Sequence, residues 1–168
     1  MKPTIALQHK SERILANWDL ENLPFIEPLA KYNPTFEQLK EERKAGICRV
    51  FNGGARWYRT IFSCHNMRYV YRAWHDSLHI KHNTPFDFKG ELHIAAMQEK
   101  EAIALGIAPY DAKLLRLDLE LHIRHYYQHK KHPEFQTRMI NDFMNYGYSV
   151  IQLNDYSTTG NFANTKGG

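Results

Sequence analysis

Long apolar runs are missing from this sequence of 168 residues. Its longest stretches of apolar side chains span only a few residues, whereas a membrane-spanning helix needs roughly 20. Cysteine is also scarce, because Cys48 and Cys64 are the only two and they lack CxxC spacing. Two such thiols are too few for a disulfide framework. The sequence therefore predicts a protein of a reducing compartment without membrane spans.

Residues 1–8 lack the apolar segment and the small-residue cleavage site of a secretory signal peptide, so we expect a cytoplasmic protein. No strong excess of one charge is present. The formal net charge of +4 and the pI near 9.0 permit binding to phosphate groups or nucleic acid without requiring it. A hydrophobic content of 43% and an aromatic content of 13% exclude a disordered chain and fit one domain with a sizeable core.

Apolar side chains recur with helical spacing through residues 33–153, and no internal repeat is present. We expect a mainly α protein, a single-domain helical bundle. An extended N-terminal arm at 1–32, with a short helix near 11–18, precedes it, and a flexible polar tail at 154–168 follows it. The predicted helices are Asn33–Lys44, Tyr69–His82, Glu91–Leu105, Asp111–Lys131 and Pro133–Asn145.

Two short segments favour extended structure. The turn-forming residues Asn52-Gly53-Gly54 separate two apolar segments at 47–51 and 55–58, which predicts a small β-hairpin. A loop before the central helix would give much the same pattern. Residues 148–153 are predicted to form a strand or an extended strap.

The segment 69–93 holds the densest set of ionisable and metal-competent side chains. On a helix, residues four apart lie on one face, so Arg68, Arg72, His75 or Asp76, and His79 would form one ridge. A histidine pair at this spacing can bring two imidazoles to one metal ion. The chain has 10 histidines, so such a pair also arises by chance, and histidines that serve as core hydrogen-bonding groups are the alternative.

The long predicted helix carries Asp118 and His122, four residues apart on its apolar side. The two can satisfy each other, or they can face the histidine ridge across the bundle, as ligands do in helical metal proteins. The second interpretation predicts that His75 or Asp76 approaches Asp118 or His122 closely. The predicted ligands for a divalent ion (Mn, Fe, Mg or Zn) are thus His75, Asp76, His79, Asp118 and His122.

Glu91 begins a predicted helix, where a carboxylate stabilises the helix dipole, and Gln98 follows two turns later on the same face. A catalytic role for Glu91 would be to position or deprotonate water. Arg72 continues the histidine ridge and would hold phosphate, because a guanidinium matches phosphate geometry. The aromatic-basic segments 56–59 and 68–72 are typical of nucleic-acid contact, although arginine also packs on aromatic rings in ordinary cores.

His65, the His75-Asp76 pair and Asp118 together resemble the H…HD…D order of the HD-domain metal phosphohydrolases. The resemblance covers residues 65–118. It implies an all-helical fold, one or two divalent metal ions and hydrolysis of nucleotide phosphate esters. It further implies His75 and Asp76 as paired ligands and Asp118 as the closing ligand. Residues 71–76, with Gly90-Glu91 and Gln98, also look like phage and bacterial accessory proteins of similar size, which implies no activity.

Two classes of function follow. The first is a small helical metalloenzyme, a phosphohydrolase acting on a nucleotide or another phosphate ester, with a di-iron oxygenase as a variant. The second is a non-catalytic accessory or inhibitor protein of phage type. It would bind nucleic acid or a protein partner through an arginine- and aromatic-rich surface. The oligomeric state is not indicated by the sequence.

Overall fold

Helices dominate the computed structural model, which describes residues 5–157. Residues 1–4 of the predicted arm and 158–168 of the predicted tail lie outside that range. Two short strands are present, β1 (Ile26–Leu29) and β2 (Cys48–Phe51), with a 3-10 turn at Trp57–Arg59. The mainly α prediction is confirmed, and the described helices are α1 (His9–Asn22), α2 (Phe36–Lys44), α3 (His65–Lys81), α4 (Phe88–Ala104), α5 (Pro109–His129), α6 (Gln136–Tyr146) and α7 (Tyr148–Leu153).

Local side chains define the helix ends. Thr35 and Gln38 form a capping box at the start of α2, each bonding the other's backbone N–H. Asp87 caps α4 by accepting the Gly90 N–H at 2.7 Å, so this helix begins before the predicted Glu91. Pro109 occupies the first turn of α5, where its missing N–H costs nothing.

The core lies among α3, α4 and α5, which pack together as predicted. Alanines on the facing sides of α4 and α5, Ala95, Ala102 and Ala112, are buried and allow the two helices to approach closely. Helix α1 packs on α3, and α6 packs on α5. The largest side chains with almost no exposure are Trp74, Tyr156, Leu15, Leu39, Ile61, Ile94, Leu114, Leu115, Leu117, Leu121, Met139 and Ile140.

The predicted β-hairpin is wrong. Strand β2 pairs in parallel with β1, in the register Ile26↔Cys48 to Leu29↔Phe51. Residues 55–58 form no strand, because hydrogen bonds from α3 hold the chain that follows β2. Arg68 and Arg72 donate hydrogen bonds to the Gly53 carbonyl at 2.9 and 2.8 Å, and Gly54 turns the backbone with φ of +96°.

The N-terminal segment contains more regular structure than a short helix at 11–18. Helix α1 spans 14 residues and packs on α3. Asp111 of α5 accepts hydrogen bonds from the Gln8 N–H at 3.1 Å and the Ser11 hydroxyl at 2.5 Å. Glu12 accepts the Ser63 N–H at 2.7 Å. These buried carboxylates tie the segment to the bundle.

The end of the described chain also differs from expectation. Residues 148–153, predicted as a strand or strap, form α7, because Val150 and Ile151 bury their side chains against the α5–α6 pair. Tyr156, within the predicted tail, is completely buried. Its hydroxyl donates to Asp142 at 2.9 Å, so residues 154–157 pack on the domain.

Within residues 5–157, none of the helices combines the length and the hydrophobicity that a membrane span needs.

A buried carboxyl lies between α1 and α2. Asp19 is 4% exposed, and neither of its oxygens has a hydrogen-bond partner among residues 5–157. Burial raises the pKa of Asp19 to about 7, although the charge of Arg43 opposes the change. The folded state therefore binds a proton more tightly than the unfolded chain, and Asp19 weakens the fold increasingly as the pH rises from about 4 to 7.

We predict that Asp19→Asn stabilises the protein more at pH 8 than at pH 5. The difference should be at least about 1 kcal/mol, since one pKa unit corresponds to about 1.4 kcal/mol. Denaturant unfolding of both proteins at the two pH values, with chelator present, measures it. The exposed neighbour Glu21, changed to Gln, is the control. A stability change of equal size at both pH values would contradict the pKa given to Asp19.

Candidate metal centre

Two histidines of α3 and one glutamate of α4 converge. His75 Nε2 and His79 Nε2 lie 3.5 and 3.4 Å from Glu91 Oε2. One ligand atom of each residue lies within 4.8 Å of the others. Metal–ligand bonds of about 2 Å would let one ion contact all three atoms. This set, His75, His79 and Glu91, is called the triad below.

The turn between α3 and α4 places Glu91 beside the histidines. Asn83 has a φ of +47°, which reverses the chain directly after α3. Gly90 permits the tight return, because a Cβ at this position would lie 2.0 Å from the Pro85 carbonyl oxygen. Phe86 packs edge-on against His79, with ring centroids 4.5 Å apart. Glu91 therefore begins α4 within reach of α3.

Each imidazole of the triad is oriented by a hydrogen bond at its other nitrogen. His79 Nδ1–H donates to the Thr84 carbonyl at 2.8 Å. His75 Nδ1–H donates to Gln98 Oε1, also at 2.8 Å. The Gln98 amide is itself fixed, because its Nε2 donates to the Leu115 carbonyl at 2.9 Å and to the Tyr71 hydroxyl at 3.1 Å. Both Nε2 atoms are thereby directed at Glu91, an arrangement typical of metal-binding histidines.

The triad places two imidazole nitrogens beside one carboxylate oxygen. His79 Nε2 and Glu91 Oε2 are buried, and neither has a hydrogen-bond partner among residues 5–157. Burial, reinforced by His79 and opposed by Glu91, lowers the pKa of His75 to about 4, so this ring is neutral at pH 7. Burial raises the pKa of Glu91, but its contacts with His79 and His75 bring it below the ordinary value. Two imidazoles and a carboxylate at this spacing could hold a cation.

Three predicted ligands lie outside the triad. Among residues 5–157, only two groups of three or more metal-competent side chains have ligand atoms within 4.8 Å, and Asp76, Asp118 and His122 belong to neither. Asp76 follows His75 directly and so projects from another side of α3. His122 Nε2–H donates to His132 Nδ1 at 2.9 Å, and its Nδ1 accepts from Gln136 at 3.0 Å. Both ring nitrogens of His122 are thus engaged.

The second group, His125, His129 and Asp155, does not suit a metal ion. His125 Nδ1–H donates to the Lys131 carbonyl at 3.0 Å, and its Nε2 accepts the Tyr156 N–H at 3.0 Å. Because its lone pair is already used, His125 has none left for an ion. This histidine instead fastens residues 154–157 to α5.

A cavity of about 210 Å³ adjoins the triad. Arg72 donates to the carbonyls of Phe51 and Gly53, and Arg68 donates to Gly53, so both guanidiniums are held in its wall. Burial and the neighbouring Arg68 lower the pKa of Arg72 to about 10, which leaves it cationic at pH 7. The cavity is lined by Phe51, Gly54, Phe62, Arg68, Tyr71, Arg72, His75, Glu91, Asp118, Leu119, His122, Ile123, His132 and Gln136.

Both predicted catalytic residues lie at this site, one in the triad and one in the cavity wall. Glu91, predicted to act on water, occupies a ligand position, and Arg72, predicted to hold phosphate, lines the cavity. Of the residues that carry the HD-domain resemblance, only His75 belongs to the triad. His65 is exposed at the start of α3, roughly 15 Å along the helix axis from His75.

We predict that Gln98→Met weakens metal binding by the triad by about 10- to 100-fold, because His75 loses the acceptor that orients it. Stability with chelator should fall by about 1–3 kcal/mol, because the Leu115 carbonyl loses its donor. Competition titration with a fluorescent zinc chelator measures the affinity. Lys100→Met, an exposed change on the same helix, is the control. Unchanged metal affinity in the Gln98 variant would show that this hydrogen bond does not organise a metal site.

Comparison with models of protein families, with curated proteins and with solved structures found no match for this chain.

Proposed function

We propose that this protein is a metal-dependent phosphohydrolase whose single divalent ion is held by His75, His79 and Glu91. The observation that carries the proposal is the convergence of three ligand atoms, with both histidines oriented through Nδ1 and with His79 Nε2 and Glu91 Oε2 buried. A bound ion supplies Lewis-acid chemistry, since it polarises a phosphoryl oxygen and lowers the pKa of water. Two imidazoles and one carboxylate favour Zn, Mn or Fe over Mg, which prefers oxygen ligands.

The cavity supports a phosphate ester as substrate. Arg68 and Arg72 bring two cationic guanidiniums to a wall that also contains His75 and Glu91. Guanidiniums neutralise phosphate charge and donate hydrogen bonds to its oxygens. The volume of about 210 Å³ is below the roughly 300–1,000 Å³ of pockets for drug-sized ligands. The cavity therefore suits a small ester or the phosphoryl end of a nucleotide.

The alternative function, a non-catalytic protein that binds nucleic acid or a protein partner, would use a different surface. Arg68 is 4% exposed, and Arg72 is bonded to loop carbonyls, so these residues face the cavity. The partly exposed Trp57 and Tyr58 remain as a candidate contact surface. The di-iron variant needs carboxylates from several helices. Within residues 5–157, Glu91 is the one carboxylate of the triad.

Metal-reconstituted protein should contain about one equivalent of ion and hydrolyse p-nitrophenyl phosphate or nucleoside monophosphates in a chelator-sensitive reaction. His79→Ala should lose both properties. Arg72→Gln should retain the metal ion and lower kcat/KM by about 10- to 100-fold, because a charged hydrogen bond to phosphate is removed. Metal analysis and steady-state kinetics, with Zn²⁺, Mn²⁺ and Fe²⁺ tried in turn, provide the measurements.

The exposed Arg56, changed to Gln, is the matched control and should leave metal content and kinetics unchanged. Bound metal without hydrolysis of any ester tested would reject the phosphohydrolase. Salt-sensitive binding of a single-stranded oligonucleotide by the metal-free protein, lost in Trp57→Ala, would support the alternative function.

A further inference from the structure

Asp118 presents an unpartnered carboxyl to the cavity. This residue of α5 is 6% exposed and lines the same cavity as His75 and Glu91. Its Oδ1 is buried and has no hydrogen-bond partner among residues 5–157. Within the same residues, neither Arg68 nor Arg72 forms an ion pair with it. A buried carboxyl in this state is costly unless it is protonated or meets a ligand.

The other titratable groups of the cavity wall are poorer sources of a proton, and burial, reinforced by Arg72, lowers the pKa of His132. The proton on His75 Nδ1 is engaged by Gln98, and His122 is bonded at both nitrogens. The Tyr71 hydroxyl is too weak an acid, because burial raises its pKa well above 10. Burial raises the pKa of Asp118 to about 7, against the charges of Arg72 and Arg68. Near neutral pH the acid form of Asp118 is therefore well populated.

We propose that Asp118 is a catalytic residue that protonates the leaving-group oxygen of the phosphate ester, a role that rests on the proposed function. As water attacks phosphorus, the bond between phosphorus and the ester oxygen breaks, and its electron pair stays on that oxygen. The proton of the Asp118 carboxyl moves to the oxygen and completes the alcohol. A proton from the attacking water then restores the carboxyl. The net reaction converts the phosphate ester and water into the alcohol and inorganic phosphate.

The proposed role of Asp118 predicts different losses of activity for esters with two kinds of leaving group. A p-nitrophenolate departs without protonation, whereas an alkoxide needs a proton as it leaves. Asp118→Asn, which keeps the shape of the side chain, should lower kcat/KM for an alkyl ester such as glycerol phosphate by 100-fold or more. The loss with p-nitrophenyl phosphate should be below 10-fold. Metal stoichiometry and affinity should stay at wild-type values, because Asp118 lies outside the triad.

Asp19→Asn is the matched control, since Asp19 is also a buried carboxyl with a raised pKa but does not line the cavity. It should leave both rates and metal binding unchanged. If Asp118→Asn does not fold, Asp118→Ser provides the same comparison with a smaller side chain.

Three results would overturn the role of Asp118. Loss of bound metal in the variant would make it a ligand. An equal loss with both esters, or no loss with either, would show that it does not protonate the leaving group. A wild-type protein that binds metal but hydrolyses neither ester would refute the proposed function itself. The wild-type protein alone tests the proposed function, whereas the Asp118 variant tests the role of Asp118. The failure of one proposal can therefore be told from the failure of the other.

Discussion

Two hydrogen bonds at imidazole Nδ1 atoms set the orientation of both histidines in the triad. By donating to the Thr84 carbonyl and the Gln98 amide, His79 and His75 keep their Nε2 atoms pointed at Glu91. The other tautomer of either ring would place an N–H where a ligand atom is needed. A cation between the carboxylate and the two Nε2 atoms would be favourable, because the three groups lie close together in a largely buried place.

Other parts of the structure maintain those two bonds. The Thr84 carbonyl is positioned by the turn that Asn83 begins and Gly90 closes, and this turn also sets the start of α4. Gln98 reaches the Leu115 carbonyl, so the packing of α4 on α5 determines how His75 is held. The site thus depends on three helices and one tight turn, which makes its geometry a property of the whole bundle.

The spacing of residues along the sequence was enough to predict which helix faces carry most of the triad and its supporting residues. The i, i+4 spacing of His75 and His79 identifies one helix face, and the spacing of Glu91 and Gln98 identifies another. Asp76 lies outside the triad although the His-Asp pair matches a known order, because adjacent helical residues diverge by about 100°. The part played by Thr84 could not be predicted, because its backbone carbonyl leaves no signal in the side-chain pattern. The partner of β2 was missed because it lies upstream, beyond α2, rather than across the nearby glycine turn.

Anomalous diffraction from crystals of zinc-loaded protein, recorded on both sides of the metal absorption edge, tests the central claim most directly. The account predicts one anomalous peak, about 2 Å from each of His75 Nε2, His79 Nε2 and a Glu91 carboxylate oxygen. Both Nδ1 atoms should keep their bonds to Thr84 and Gln98. A peak at His125 and His129, or no ordered metal at the triad under saturating zinc, would contradict it.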